Sequence, residues 1–372
     1  MSQKIIFEKD AYKKIQSILK EKNIKKYMLV CGSSFKKSFV MDYLKGLDIP
    51  FTVFSDFTAN PDYNEVCKGV ECFHNENCDA VIAAGGGSAI DVAKCIKLFS
   101  SLDNRTSYLK QEYSSNSVPL IAIPTTAGTG SESTKFSVIY YKGEKQSVHH
   151  DSIVPQVAVL EPELLKSLPD FQKKCTLMDA LCQAIESWWS VHSTEESQKY
   201  AEEAVKLISK YGDEYIFEPT QETYDNIMLA SNLAGRAINM TATTAPHAMS
   251  YKLTTLYGLP HGYSVALSLP RVWEYMMNHP EYCSDKRGAD YLFGVFEKIA
   301  NAFGAGNTES AIKKFYDMLK KYGLTDPCSE NYREDIEKLV KAVNVSRLGN
   351  NPVTLSETAL YGLYERIVKN EA

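Results

Sequence analysis

Along the first 165 residues the apolar positions gather into short β-rich runs: YMLVCG at 27–32, FTVFSDF at 51–57, AVIAAGGG at 80–87 and PLIAIPTT at 119–126. Helical patterns lie between them, and strands spaced this way imply a parallel α/β sheet with right-handed crossovers. After Pro162 the period changes. DALCQAIESWWS, STEESQKYAEEAVKLISKYG and YDNIMLASNLAGRAINM carry apolar residues at three- and four-residue spacing, which predicts an all-helical second half. The expected organisation is an α/β domain over 1–165 and a helical domain over 166–372, joined near VLEPEL at 159–164, where Pro162 suits the first turn of a helix. In such a chain the ligand cleft is expected between the halves, beside the carboxyl ends of the strands.

Composition narrows the partners. The 372 residues, 44% hydrophobic and 23% charged, describe an ordinary globular protein long enough for two cores. A net charge of -5, with 41 basic residues scattered singly or in pairs, provides no reservoir of positive charge for a phosphate backbone, so no nucleic acid is expected. The first residues, MSQKIIFEKDAYKKIQ, interrupt their apolar stretches with charge, and no run approaches the roughly 20 residues that span a bilayer. A cytoplasmic protein with no membrane partner is expected. The nine cysteines are odd in number and form no CxxC pair, which suits reduced structural thiols.

Two loops carry candidate chemistry. Gly85, Gly86, Gly87 and Ser88 follow an apolar strand and open a helix containing Asp91, Ala93 and Lys94. Glycines let a backbone approach phosphates without a Cβ clash, and a helix N-terminus offers unpaired N–H groups. The same pattern also suits a tight strand-to-helix turn without a ligand, and Ser88 could donate its hydroxyl or cap the helix. A second loop, PTTAGTGSEST at 124–134, collects Thr125, Thr126, Gly128, Thr129, Gly130 and Ser131 after another strand. Two such loops at adjacent strand ends can hold a dinucleotide from both sides, although neither has the GxGxxG spacing.

The segments GGGSAIDVAK, IPTTAGTGSE, the stretch from Pro155 to Pro162, MDALCQAIE, SNLAGRAIN and APHAMSYKLTTLYGLPHG resemble the iron-containing alcohol dehydrogenases, relatives of glycerol dehydrogenase and dehydroquinate synthase, over nearly the whole chain. The resemblance implies an N-terminal dinucleotide-binding α/β domain with a parallel sheet, an all-helical C-terminal domain and one divalent metal, iron first and zinc as the alternative. It places cofactor contacts on Gly32, Ser33, Gly85, Gly86, Gly87, Ser88, Asp91, Thr125, Thr126, Gly128, Thr129 and Ser131. It carries the metal ligands to Asp179, Gln183, His247 and His261. Asp179 and Gln183, four apart on a helix, share a face, and the residues between the two histidines suffice for a helical stretch and a turn. Imidazole and carboxylate together suit a first-row divalent ion. Gln183 departs from the family's usual histidine and leaves its position to an amide oxygen or to water. Tyr251 stands where many members have a further histidine; it can donate to a substrate oxygen or pack as an aromatic ring. His247 and Tyr251 are the catalytic candidates.

The implied chemistry is hydride transfer between nicotinamide C4 and a carbonyl carbon, with the metal as Lewis acid. MDALCQAIESWWSVHSTEES is similar to a subgroup in phosphonate metabolism, the phosphonoacetaldehyde reductases, which make 2-hydroxyethylphosphonate. Arg236 and Lys252, with Asn239 or Lys145, could hold such a dianion or could be ordinary solvated groups. Simple aldehydes such as lactaldehyde or butyraldehyde are the rival substrates; a dehydroquinate synthase-like lyase and a cofactor-binding protein without turnover are the rival classes. CGSSFKK at 31–37 has no carboxylate to repel a 2′-phosphate, and Ser33, Ser34 and Lys36 could bind one, so NADPH is expected beside NADH. A homodimer is compatible with the family but is not legible in the chain.

Overall fold

The computed structural model describes residues 3–343 and 345–369. The chain divides between Leu168 and Pro169 into two units, three residues beyond the boundary expected from patterning.

The first unit is built on a six-stranded, wholly parallel sheet of β1 (Lys4–Ile6), β2 (Tyr27–Cys31), β3 (Phe51–Phe54), β4 (Ala80–Gly85), β5 (Leu120–Pro124) and β8 (Val157–Val159), in the order β1-β8-β5-β4-β2-β3. β6 (Phe136–Tyr141) and β7 (Glu144–His149) form a separate antiparallel hairpin. Its two-residue turn, Lys142-Gly143, has positive φ at both positions (54° and 78°), the geometry that matches the twist of paired strands. The α-helices of this unit are α1 (Ile15–Glu21), α2 (Phe39–Lys45), α3 (Tyr63–Asn75) and α4 (Gly87–Phe99).

The central strands are apolar throughout because both faces are covered. Met28, Val30, Val81 and Ala83 join one buried layer with Val66, Val70 and Ile96 of α3 and α4. Tyr27, Leu29, Cys31, Ile82 and Ala84 join the other with residues of α1 and α2. From β2 the chain passes to β3 on one side and then to β4 on the other, so the strand order reverses between β2 and β4. In an open α/β sheet the crevice at the carboxyl ends of such a pair is where a ligand fits. Gly32 and the glycines 85–87 stand there.

The second unit is helical, as the three-to-four spacing predicts: α5 (Asp170–Trp189), α6 (Glu195–Phe217), α7 (Gln221–Thr241), α8 (Ala245–Tyr257), α9 (His261–Asn278), α10 (Ala289–Ala302), α11 (Thr308–Tyr322), α12 (Tyr332–Lys341), α13 (Val345–Leu348) and α14 (Glu357–Val368). Capping boxes start α6 (Thr194 with Ser197) and α7 (Thr220 with Thr223), satisfying N–H groups that a helix leaves open. α5 is buried continuously from Cys175 to Trp189 and packs against α6, α7 and α9. Trp189, Trp273 and Phe296 interlock beside its C-terminal end. None of the described helices is long and apolar enough to cross a membrane. All nine cysteines are free, as the sequence suggested.

One buried cation in the first unit generates a prediction. Lys97 on α4 is wholly buried, and its Nζ donates to Asn116 Oδ1 at 2.8 Å. Burial pushes its ammonium down to about 8 from an ordinary value near 10.4. Between these values the folded chain binds fewer protons than the unfolded chain, so stability rises with pH across that window and the charge costs stability below it. Each tenfold change in proton affinity is worth about 1.4 kcal/mol. Lys97→Met is expected to raise the unfolding free energy at pH 7 by about 1–3 kcal/mol and to remove part of the rise between pH 8 and 10. Urea unfolding at pH 7, 8.5 and 10 measures both effects.

Candidate metal and dinucleotide sites

In the first unit the two glycine- and threonine-rich loops meet. Gly86 caps α4 with no side chain bonded to the helix's first N–H groups. Ser88 is not the cap: its hydroxyl donates to the Ala59 carbonyl. A Cβ on Gly86 would lie 3.2 Å from Thr126 Cγ2, and one on Gly87 3.0 Å from Thr129 Cγ2. Thr125 N–H closes the junction by donating to the Gly85 carbonyl at 3.0 Å. The glycines therefore make room for the second loop as well as exposing backbone. Gly32, with open space where its Cβ would be, and the exposed Ser33, Ser34 and Lys36 follow β2.

Two expected cofactor contacts, Asp91 and Ser131, have internal partners. Asp91 accepts from the Ser131 hydroxyl at 2.7 Å and from Val138 N–H at 2.9 Å. Lys94, wholly buried, donates to Ser131 Oγ and Thr134 Oγ1, each at 2.9 Å, and to the Phe136 carbonyl at 2.7 Å. Burial raises the Asp91 carboxyl above its usual range despite Lys94, and lowers Lys94 to about 8 despite Asp91 and Glu132. These groups tie the second loop and the hairpin to α4, which places Asp91 and Ser131 in the scaffold of the loop.

In the second unit, ligand atoms of Asp179, His247 and His261 all lie within 4.8 Å of one another. α5 supplies Asp179, Gln183 and Glu186 at i, i+4 and i+7, one face of a helix, and all three are buried. His247 lies in the first turn of α8. His261 opens α9 after Gly258, whose left-handed φ of 65° ends α8. The imidazoles stand 5.3 Å apart between ring centres. Gly262 allows this approach: a Cβ there would fall 2.1 Å from the Cys175 carbonyl oxygen and 2.7 Å from Asp179 Cβ. The start of α9 thus presses directly on the backbone of α5.

The electrostatics suit a cation. Asp179 Oδ1 and Gln183 Oε1 are buried and accept no hydrogen bond from the described residues, a costly condition for oxygen acceptors unless a ligand supplies the missing partner. His247 Nε2 lies 3.5 Å from Asp179 Oδ1, and its Nδ1 bonds Glu186 Oε1. Burial opposes the charge on His247, but Glu186 and Asp179 outweigh it and hold the imidazole proton to about 10. Burial likewise pushes Asp179 up, but His247 and His261 bring it below its ordinary value. Two imidazoles and two unpartnered oxygens fit a first-row divalent ion. Its binding has to displace a proton from His247.

Comparison with known proteins agrees with this arrangement. A profile described as "Iron-containing alcohol dehydrogenase" matches residues 2–162, and one described as "Fe-containing alcohol dehydrogenase family, C-terminal" matches 174–368. The chain belongs to the iron-containing alcohol dehydrogenase family. NAD-dependent methanol dehydrogenase of Bacillus methanolicus is 29% identical over 349 residues, 90% of each chain. Phosphonoacetaldehyde reductase of Streptomyces viridochromogenes is 30% identical over 334 residues, 86% of this chain and 83% of that one. The crystal structure of sulfoacetaldehyde reductase from Bifidobacterium kashiwanohense in complex with NAD+ superposes with a TM-score of 0.87 at 28% identity, covering 99% and 98% of the two chains. Phosphonoacetaldehyde reductase is thus one of several relatives near 30% identity, and the family rather than the phosphonate subgroup is what the comparisons establish.

The residues expected to hold a phosphonate in this alcohol dehydrogenase lie on α7, α8 and β7. Arg236 on α7 lies 4.0 Å over the Tyr200 ring of α6 and donates to its hydroxyl, so its recorded partners are on α6. Lys252 is half-buried on α8 beside Tyr251, whose ring stacks on His261 at 5.9 Å and 5°. Asn239 lies near the end of α7. Lys145 lies on β7 in the other unit, where its charge acts on Asp91. Of the remaining histidines, His150 caps a short turn through Ser152 and His279 pairs with Glu281.

Sequence reasoning missed Glu186 and Gly262. Both signals were present: Glu186 continues the Asp179–Gln183 face one turn on, and glycine directly follows a candidate ligand. Gly262→Ala is expected to displace His261 from Asp179, weakening divalent-ion binding at least tenfold and lowering the unfolding temperature. Chelator competition and thermal unfolding of the purified variant check the two effects, and wild-type affinity in the variant would exclude this packing role.

Proposed function

We propose that this alcohol dehydrogenase reduces phosphonoacetaldehyde to 2-hydroxyethylphosphonate with NAD(P)H, at a divalent ion held by Asp179, Gln183, His247 and His261. The observation that carries the metal-assisted part is the convergence of ligand atoms of Asp179, His247 and His261, with buried Asp179 and Gln183 oxygens that accept no hydrogen bond from the described residues. The substrate part is supported by likeness to two reductases whose named aldehydes each join a two-carbon carbonyl to a strong acid group.

When bound, the ion supplies Lewis acidity toward a carbonyl oxygen and the nicotinamide supplies the hydride. The protein's own groups do the rest. Asp179 and Gln183 offer oxygens and His247 and His261 nitrogens from helices whose positions are fixed by packing, so little rearrangement accompanies charge development. Glu186 retains the hydrogen on His247 Nδ1, which keeps the other nitrogen free. Tyr251, stacked on His261, offers a hydroxyl to donate toward the oxygen that becomes the alcohol. In the first unit, the N–H groups at the start of α4 and the loop at 125–131 offer donors for a pyrophosphate. Ser33, Ser34 and Lys36, with no carboxylate among them, favour acceptance of NADPH beside NADH.

A second reading, reduction of unphosphorylated aldehydes, is favoured by one observation. The Arg236 guanidinium is engaged with Tyr200, which leaves Lys252 as the remaining cation expected for a dianion in this unit.

The two readings separate in one assay. NADPH and NADH oxidation is followed with phosphonoacetaldehyde, lactaldehyde and butyraldehyde, each with and without ferrous or zinc ion. The expected outcome is metal-dependent turnover with phosphonoacetaldehyde preferred more than tenfold in kcat/KM, about 1.4 kcal/mol of transition-state discrimination. Parity with simple aldehydes would replace the substrate assignment and leave the family chemistry intact.

A further inference from the structure

Glu186 adjoins the candidate ligands without being one of them. Its side chain is wholly buried and both oxygens are committed. Oε1 accepts from His247 Nδ1. Oε2 accepts the backbone N–H of Thr244 at 2.7 Å and the Thr244 hydroxyl at 2.9 Å. That hydroxyl oxygen accepts in turn from Trp189 Nε1 at 2.9 Å. The turn presenting Thr244 is held against its own backbone preference. Ala242, at φ 56° and ψ 177°, occupies a region that favours glycine, and Asn350 Nδ2 grips the next carbonyl, that of Thr243, at 3.0 Å.

A carboxylate can only accept, so the bond to Glu186 requires hydrogen on Nδ1 of His247. Nε2, directed toward Asp179, is then the nitrogen available to an ion. Charge leads to the same place. Asp179 and Glu186 are two buried carboxylates, and Gln183 at the intervening turn is neutral, so a divalent cation here meets two negative charges, only one of them on a candidate ligand.

We propose that Glu186 is the positioning residue of the metal centre: it locks His247 in the Nδ1–H form and supplies the second counter-charge for a divalent ion. The inference rests on the reading of Asp179, His247 and His261 as metal ligands. It explains why a strained alanine turn persists five residues before His247, since that turn provides two of the three donors that fix Glu186. Such outer partners of a ligating histidine orient the ring and raise its basicity.

The test compares wild type and Glu186→Gln, both stripped of metal, shown to be folded by circular dichroism, and titrated with Co2+. The amide retains the size of the side chain but loses its charge and sets an N–H2 group against His247 or Thr244. Expected are a 10- to 100-fold loss of Co2+ affinity by chelator competition and a shifted visible spectrum of the bound ion, which reports ligand geometry. Equal affinity with a superimposable spectrum overturns the role of Glu186 and leaves the metal reading standing. A wild type that binds no Co2+ overturns both. A variant that does not fold moves the decision to Zn2+-loaded wild type labelled with 15N-histidine. His247, assigned through its proximity to Thr244, is expected to retain a slowly exchanging Nδ1 proton with Nε2 ligated. Ligation through Nδ1, or loss of that proton, overturns the proposal.

Discussion

The second unit is organised around the cost of placing two carboxylates on a helix with no water around it. α5 is buried on every side from Cys175 to Trp189, yet it carries Asp179 and Glu186, and a buried carboxylate survives ionised only when opposite charge and donors surround it. Neighbouring elements meet that requirement. The start of α8 delivers His247 between the two carboxylates, and the residue just before α8, Thr244, delivers a backbone N–H and a hydroxyl. The start of α9 delivers His261, and glycine at 262 permits the approach. Among the side chains of this cluster, Asp179 Oδ1 and Gln183 Oε1 are the buried oxygens that accept no hydrogen bond from the described residues. Packing thus supplies partners to Glu186 and leaves acceptor capacity on Asp179 and Gln183, beside the helices that carry the two imidazoles.

The first unit solves a different problem, bringing backbone close to an anion without collapsing the loops that do so. The glycines after β4 are commonly read as space left for a phosphate. Here part of that space is taken by Thr126 and Thr129 of the neighbouring loop. Beneath them Asp91, Lys94 and Ser131 form a buried polar network with every recorded bond directed inward. Fully satisfied networks of this kind fix one arrangement of a loop, because any displacement leaves a charged group without its partner. The carboxyl-end crevice between β2 and β4 thus has rigid walls on the β4 side and the exposed, serine-rich turn on the β2 side.

How much of this was legible depended on length and repetition. β2, β4 and β5 announced themselves as continuous apolar runs, and α5, α6 and α7 as long periodic segments. β1 and β8 have three residues each, too few for any period, and exist because β1 pairs with β8 and β8 with β5. The β6–β7 hairpin had a turn signal in Lys142-Gly143, but its strands mix polar and apolar residues without clean alternation. At the site, Asp179 and Gln183 could be paired by spacing, whereas joining them to His247 and His261 required the family resemblance. Glu186 was passed over because a lone glutamate on a helix ordinarily faces solvent; only the burial of α5 from all sides reverses that expectation. For Asp91 and Ser131 nothing in the sequence signalled the hydrogen bonds each makes within the protein. They sit in the loops expected to hold a dinucleotide; one turn into α4 the Asp91 side chain meets protein, and Ser131 follows Gly130, whose left-handed φ of 57° turns the loop.

The same reasoning locates where substrate choice must reside. The ligand set and the glycine loops are framework, tied down by packing and hydrogen bonds that leave little latitude. Gln183 within that set and Tyr251 beside it are the two neutral side chains, at positions where the resemblance to the family implies histidine. An amide oxygen in place of imidazole gives an ion less donated charge, which makes it a stronger Lewis acid but a more weakly held one. A phenol stacked on His261 in place of imidazole removes a group that could carry positive charge beside the substrate and supplies a neutral donor instead. Two neutral side chains where the resemblance implies basic ones lower the positive charge intrinsic to the protein at this centre. The positive charge offered here by the protein itself therefore rests on the imidazoles of His247 and His261, and the buried carboxylates of Asp179 and Glu186 offset it in favour of a divalent ion that the cluster would hold.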